Sequence, residues 1–132
     1  MLVAKGGPRR RAALRGVLAA AGTAILLVAL ARRFERYAVS GASMEPSLRH
    51  GDRVIVDRGA YRRRSPRPRE IVLAVDPRDP RREIIQRVGR VGDGGAWLEG
   101  DNRAASTDSR TFGPVLRDGI LGRVRWRYWP LR

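Results

Sequence analysis

Few side chains in this 132-residue chain can do covalent chemistry. There is no cysteine, which removes disulfides, thiolate nucleophiles and thiolate metal sites. With a single histidine, His50, a zinc centre of the usual kind is excluded as well. Hydroxyls remain, and one stands out in "GASMEPSLRHGD", residues 41–52. Ser43 there sits between small residues and a Met-Glu-Pro turn. It is either a nucleophile or one serine in a turn. A nucleophilic hydroxyl needs a neighbouring base. Lys5 is the sole lysine among 28 basic residues, and arginine stays protonated at any relevant pH. His50 is the one neutral-pH base in reach by residue type, but it follows Ser43 in the same segment and must fold back to reach it.

Two further stretches carry chemistry-bearing residues. "IIQRVGRVGDG", 84–94, contains Gln86 and Arg87. "GDNRAASTDSRTFG", 100–113, packs Gly100, Asp101, Asn102, Ser106, Asp108 and Arg110 into a dense set of turn formers and paired charges. Separately each is a weak signal. In this order, behind an apolar segment, they form a specific pattern.

The elements that must position these residues follow from periodicity. Gly16 to Ala31 is uncharged, and Ala12 to Ala31 gives twenty residues with Arg15 as the only charge. Twenty helical residues span about 30 Å, the thickness of a bilayer's hydrocarbon core. The sequence predicts a basic N-terminal tail over 1–11, disordered, and an uncleaved anchor over 12–33 ending at Arg32 and Arg33. A cleaved signal peptide is the rival reading, because "ALA" at 29–31 resembles a cleavage site. Basic clusters flank both ends, so charge does not fix the orientation. From 37 to 132 the pattern is β. "YAVSG", "DRVIVDR", "EIVLAVDP", "EIIQRVGRVG", "AWLEGD" and "GILGRVRWRYWP" are short Val-, Ile- and aromatic-rich runs bounded by Gly, Pro or Asp. The last alternates Arg with Val, Trp and Tyr, which puts Trp126 and Tyr128 on one face. "RGAYRRRSPRPRE", 58–70, with six arginines and two prolines, reads as an exposed basic loop, either simply solvated or touching anionic headgroups. The fold class is a mostly β, antiparallel domain behind one transmembrane helix.

With those motifs in place, the chain resembles the type I signal peptidases, membrane-anchored serine proteases with a serine–lysine dyad, over roughly residues 12–132. Within that group it is most similar to the short actinobacterial members, some described as maturation proteases for nickel-type superoxide dismutase; that narrower likeness rests on length, "EGDN", "DSRTFGP" and the "RYWP" ending. The resemblance implies a signal-peptidase-like domain outside the cytoplasm at the cell membrane. Ser43 would be the nucleophile, with Met44 and Pro46 shaping its turn. The Ser43 backbone N–H would stabilise the oxyanion, and Gly41 stands where some members carry a second, side-chain donor. Ser106 would support the catalytic lysine, Asp108 and Arg110 would form a structural ion pair, and Gly100, Asp101 and Asn102 the supporting turn. At the lysine's own position the chain departs from the family: it carries Gln86, followed by Arg87. An amide has no accessible protonation at neutral pH and is not a base. The remaining candidates are His50 and, more weakly, Asp101 or Asp108.

Three functions compete. The first is a membrane-bound serine endopeptidase that cuts signal or leader peptides of exported chains after small residues. The second is a silent relative that binds such chains without cutting. The net charge of +15 motivates a third, a basic nucleic-acid-binding module. No nucleic-acid-binding motif accompanies that charge, so the expected partners are an exported polypeptide and a bilayer with anionic headgroups, with no nucleic acid, no cofactor and no metal.

Overall fold

A computed structural model of the chain describes residues 7–131. It divides into a helical unit up to Arg32 and a β unit from Arg33. Helix α1, Pro8–Arg33, has 26 residues and no buried side chain. Its 18-residue apolar window has a mean hydropathy of 2.0, so it is long and apolar enough to cross a membrane. The helix starts at Pro8, inside the stretch expected to be a disordered tail. Proline suits the first helical position because its missing N–H would be unpaired there anyway. The rest of the expected tail, residues 1–6, lies outside the described residues.

The β unit is one six-stranded antiparallel sheet. Its strands are β1 (Phe34–Ala38), β2 (Arg53–Asp57), β3 (Ile71–Asp76), β4 (Asp79–Gly92), β5 (Gly95–Glu99) and β6 (Ile120–Trp129). Their order across the sheet is β1-β2-β6-β3-β4-β5, so the last strand closes the gap between β2 and β3. All six expected runs form strands, with shifted ends. β1 starts at Phe34, directly after the helix, and releases residues 39–41 to the turn carrying Ser43. β4 starts at Asp79, because the β3–β4 hairpin pairs Asp76 with Asp79. Pro80 is tolerated there because β5 pairs with β4 only from Arg87 onward. The β4–β5 hairpin turns on Asp93-Gly94, a residue pair favoured in two-residue turns.

Two apolar clusters hold the sheet. Val72, Ala74, Ile84, Val88, Leu98 and Val115 belong to one. Val39, Met44, Leu48, Val54, Val56 and Leu73 form the other. β3 contributes alternate residues to both, which is why its run of Val72, Leu73 and Ala74 is buried throughout. The buried aspartates Asp52, Asp57, Asp76 and Asp108 each face an arginine. Several of the arginines therefore neutralise carboxylates inside the fold.

The structure corrects two expectations. The loop at 58–70 is tethered, not freely solvated. Tyr61 is buried and its hydroxyl donates to Glu70, which also accepts from Arg64 and from the Arg67 N–H. Burial raises the Glu70 carboxyl, but these donors outweigh it and hold it at about 2. In β6, register shifts opposite Arg53/Val54 and Ile55/Val56 break strict alternation. Trp129, rather than Tyr128, comes into register beside Trp126.

Candidate active site

Ser43 occupies the turn between β1 and β2. Gly41 opens it at φ +85°, a conformation that favours glycine. Met44 is 1% exposed and sits among Val39, Leu48, Val54 and Leu73. Burying a side chain of this size stabilises by roughly 1.5–3 kcal/mol, so Met44 pins the turn to the core. Pro46 follows a cis peptide bond and is exposed. Leu48 N–H donates to the Met44 carbonyl at 2.9 Å and closes the turn.

The 100–102 turn is fastened to Ser43 by backbone. Asn102 N–H donates to the Ser43 carbonyl at 2.8 Å. Gly100 has no room for a side chain: a Cβ there would lie 2.6 Å from the Ser43 carbonyl oxygen and would overlap Ser106. Gly100 is therefore the point where the Ser43 turn and the Ser106 segment close on each other.

Gln86 enters from β4 and is 2% exposed. Its Nε2 donates to the Thr107 carbonyl at 2.9 Å and to Ser106 Oγ at 3.4 Å. Ser106 donates its own proton to Asp108 Oδ2 at 2.7 Å. The chain of donors thus runs from Gln86 through Ser106 to Asp108, and Gln86 Oε1 is left buried with no partner. Asp108 also accepts from Gly100 N–H at 2.9 Å and from the Arg110 guanidinium at 2.9 and 2.5 Å. It caps the short helix α2, Ser109–Phe112, as well. Burial pushes the Asp108 carboxyl up, but Arg110, the Gly100 N–H and the Ser106 hydroxyl overcome this and hold it well below the usual carboxylate range. A carboxylate so stabilised is a poor base.

Arg87, one residue on, reaches the other face of β4. It grips Asp101 through two bonds of 2.8 and 2.7 Å, donates to the Arg69 carbonyl, and touches Ser47 Oγ at 3.3 Å. The Arg87 bond lowers the Asp101 carboxyl, against burial. Asp101 is thus also disfavoured as a base. His50 is exposed, and its Nδ1 accepts from the Gly41 N–H at 3.2 Å. It braces the turn and is not among the residues that line the cleft described next.

That cleft has a volume of about 370 Å³. Residues 37–44 form one wall, including Ser43, and residues 82–86 of β4 form the other, ending at Gln86. Leu73, Ala105 and Thr107 complete it. Along this wall β4 is paired with β3 alone, since its pairing with β5 begins at Arg87, so among the described residues its second edge has no strand partner. The structure thus brings Ser43 and Gln86 to one cleft, with Ser106 behind Gln86, and puts the two arginine–aspartate pairs outside it. Sequence reasoning misses the Thr107 carbonyl, whose backbone role leaves no signature, and Ser109, whose Oγ accepts from the Leu98 N–H at 2.8 Å. It also misses Arg82 and Glu83 in the cleft wall; the two-residue period counted back from Gln86 reaches Arg82 but not Glu83. Among the described residues no cluster of His, Asp or Glu could hold a metal ion.

Comparison with known proteins gives a consistent picture. The family profile of signal peptidase, peptidase S26, matches residues 12–93 and 89–129. Mitochondrial inner membrane protease subunit 1 of Homo sapiens is 36% identical over 112 residues, covering 70% of this chain and 68% of that protein. Mitochondrial ATP-independent inner membrane protease subunit 1a of Arabidopsis thaliana is 34% identical over 124 residues, covering 73% and 74%. Subunit 2 of the inner membrane protease of Danio rerio is 34% identical over 114 residues, covering 70% and 62%. On the strength of the profile and these relatives, the chain belongs to the signal peptidase family, peptidase S26.

Proposed function

We propose that this chain is a membrane-anchored serine endopeptidase of low intrinsic turnover, acting on exported polypeptides at small residues outside the cytoplasm. α1 is the anchor. An extended substrate pairs with the free edge of β4 beside residues 82–86, as chains that add a strand to a sheet do. Ser43 Oγ attacks the scissile carbonyl, the amine departs, and water hydrolyses the acyl-enzyme. The Ser43 N–H is the oxyanion donor. One donor is typically worth about 10²–10³ in rate, and Gly41 provides no second from a side chain.

The observation that carries this reading is the shared cleft: Ser43 and Gln86 line it together, next to an unpaired strand edge. The low turnover follows from Gln86. A positioned base contributes about 10²–10⁴-fold; residue 86 is an amide, and the carboxylate in the cleft wall, Glu83, pairs with Arg58 at 3.7 Å. The proton of Ser43 must leave to solvent, so the rate should climb with pH and show no plateau set by a side chain.

Gln86 also favours a second reading, a relative that holds exported chains in the cleft without cutting. The two separate on one comparison. The detergent-purified chain is incubated with a leader peptide ending in Ala-x-Ala, beside Ser43→Ala. Slow cleavage that disappears in Ser43→Ala supports the peptidase. Equal behaviour of both proteins, with the peptide bound and intact, leaves the holding function.

A further inference from the structure

The cleft has two ends, and they are built differently. Ser43 and Gln86 stand at one. At the other stand Tyr37 of β1 and Glu83 of β4. Arg58, the residue after β2, ties these two side chains together. Its guanidinium donates to the Tyr37 hydroxyl and lies 3.7 Å from the Glu83 carboxylate. Burial is the largest influence on the Tyr37 hydroxyl and holds it up at about 12, so it keeps its proton, and it hydrogen-bonds to Glu83 as well. Side chains of β1 and β4, which are not neighbours in the sheet order, thus meet across the cleft.

The two halves of this tie are unequal. On the β1 side Arg58 is held firmly. Its Nε donates to Glu35 at 2.7 Å, its guanidinium covers the Tyr37 ring at 5.6 Å from the centroid, and its N–H donates to the Arg33 carbonyl at 2.8 Å. On the β4 side it has the longer contact to Glu83. A partly exposed ion pair of that length contributes little to folding. What it does achieve is to hold the Glu83 and Tyr37 side chains across the path of anything lying along β4.

We propose that Tyr37 and Glu83, clasped by Arg58, bar the far end of the cleft and so determine how many residues of a bound chain are read. This rests on the cleft being a polypeptide site, and it stands whether or not Ser43 cuts. Between Gln86 and Glu83 the strand advances about 10 Å, the length of three residues. An extended chain beside β4 therefore lies in the cleft for about three residues on the amino side of the scissile bond, meets the bar and turns out into solvent. Selection falls on those residues, and sequence farther out is not read. Arg58 is a positioning residue: it stands behind Tyr37 and Glu83 rather than in the lining, and acts through them.

The test is a binding profile. The full chain carrying Ser43→Ala, which prevents cutting, is titrated in detergent with fluorescent leader peptides ending in Ala-x-Ala, read by anisotropy. A single tryptophan is walked from the last residue of the peptide to the sixth from the end, and each Kd is taken relative to that of the tryptophan-free peptide. Tryptophan within the last three residues should weaken binding about tenfold or more, as misfit in a shaped pocket does. At the fourth to sixth it should leave Kd unchanged. Adding Arg58→Ala should open the end, so that tryptophan at the fourth and fifth residues shifts the relative Kd severalfold. Glu83→Ala, which leaves Arg58 bonded to Glu35, should do the same. A tie that merely supports the fold would change affinity for every peptide alike and leave the relative profile as it was, and that result would overturn the proposal. Peptides that bind no variant would sink the polypeptide-site reading together with it.

Discussion

The frame around the cleft and the centre of the cleft obey different rules. In the frame every buried charge is met. Asp108 accepts from Arg110, Gly100 and Ser106, and Asp101 is held by both arms of Arg87. At the centre, among the described residues, no side chain is hydrogen-bonded to the Ser43 hydroxyl and Gln86 Oε1 has no donor. An unmet buried amide oxygen costs free energy that a folding optimum would avoid. The frame is what holds two distant segments at a fixed separation; the centre is where proton transfer would be decided. On the proposed reading the positioning residues are in place and an amide stands where a proton-transfer group would act. If that reading holds, a chain can keep the architecture of its family while one side chain sets its rate.

The sharpest way to probe that contrast is Gln86→Lys. Lysine places an amine where Thr107 and Ser106 already present acceptors. Burial in a position 2% exposed lowers a lysine's pKa, so a neutral, basic fraction would exist at accessible pH. Single-turnover cleavage of a leader peptide should rise about 10²–10⁴-fold over the native chain. Its pH profile should also acquire a plateau above the lysine pKa in place of a continuous climb. An unchanged rate in a correctly folded variant would mean that the frame does not deliver residue 86 to Ser43.

The next effect in size falls on the frame. Asp108→Asn removes a charge that is 1% exposed and leaves Arg110 without its partner. Breaking a buried pair on one side costs roughly 3 kcal/mol or more. The denaturant midpoint of the β unit should drop accordingly. The native contribution is also pH-dependent. The folded carboxyl lies below its unfolded value, so its stabilisation is fully present above the unfolded pKa of about 4 and is lost as pH falls further. The difference between native chain and Asp108→Asn should therefore shrink in acid. A loss under about 1 kcal/mol at neutral pH would show that the frame is not held by this ion pair.

Much of the frame is legible in the sequence. β strands write a two-residue period into the chain, and all six runs are visible for that reason. The Gln86 departure is equally plain, because it is a residue type at a position. What stays hidden involves backbone and register. The tethering of the 58–70 loop depends on Glu70 meeting Tyr61 and Arg64 in space, which composition does not express. The shared face of Trp126 and Trp129 depends on register shifts, and a strict alternation count steps past them. α1 ends at Arg33, two residues past the apolar run. Its start is harder to see, since "PRRR" is polar yet compatible with a first turn. His50 is a candidate base by chemistry alone; its bond to Gly41 is a matter of turn geometry.

The smallest expected effect separates centre from frame most finely. Gln86→Leu keeps the volume of the side chain and removes its amide. Two consequences oppose each other. The Thr107 carbonyl loses a donor, a loss of about 1 kcal/mol, and the unmet Oε1 disappears, a gain of similar size. Stability should therefore move by less than about 1 kcal/mol in denaturant melts, well short of Asp108→Asn. The comparison turns on which groups are satisfied: a side chain with one good bond and one orphaned atom is close to neutral, while a carboxylate holding several donors is not. A loss as large as that of Asp108→Asn would mean that Oε1 does find a donor in solution, and the centre would then belong to the frame.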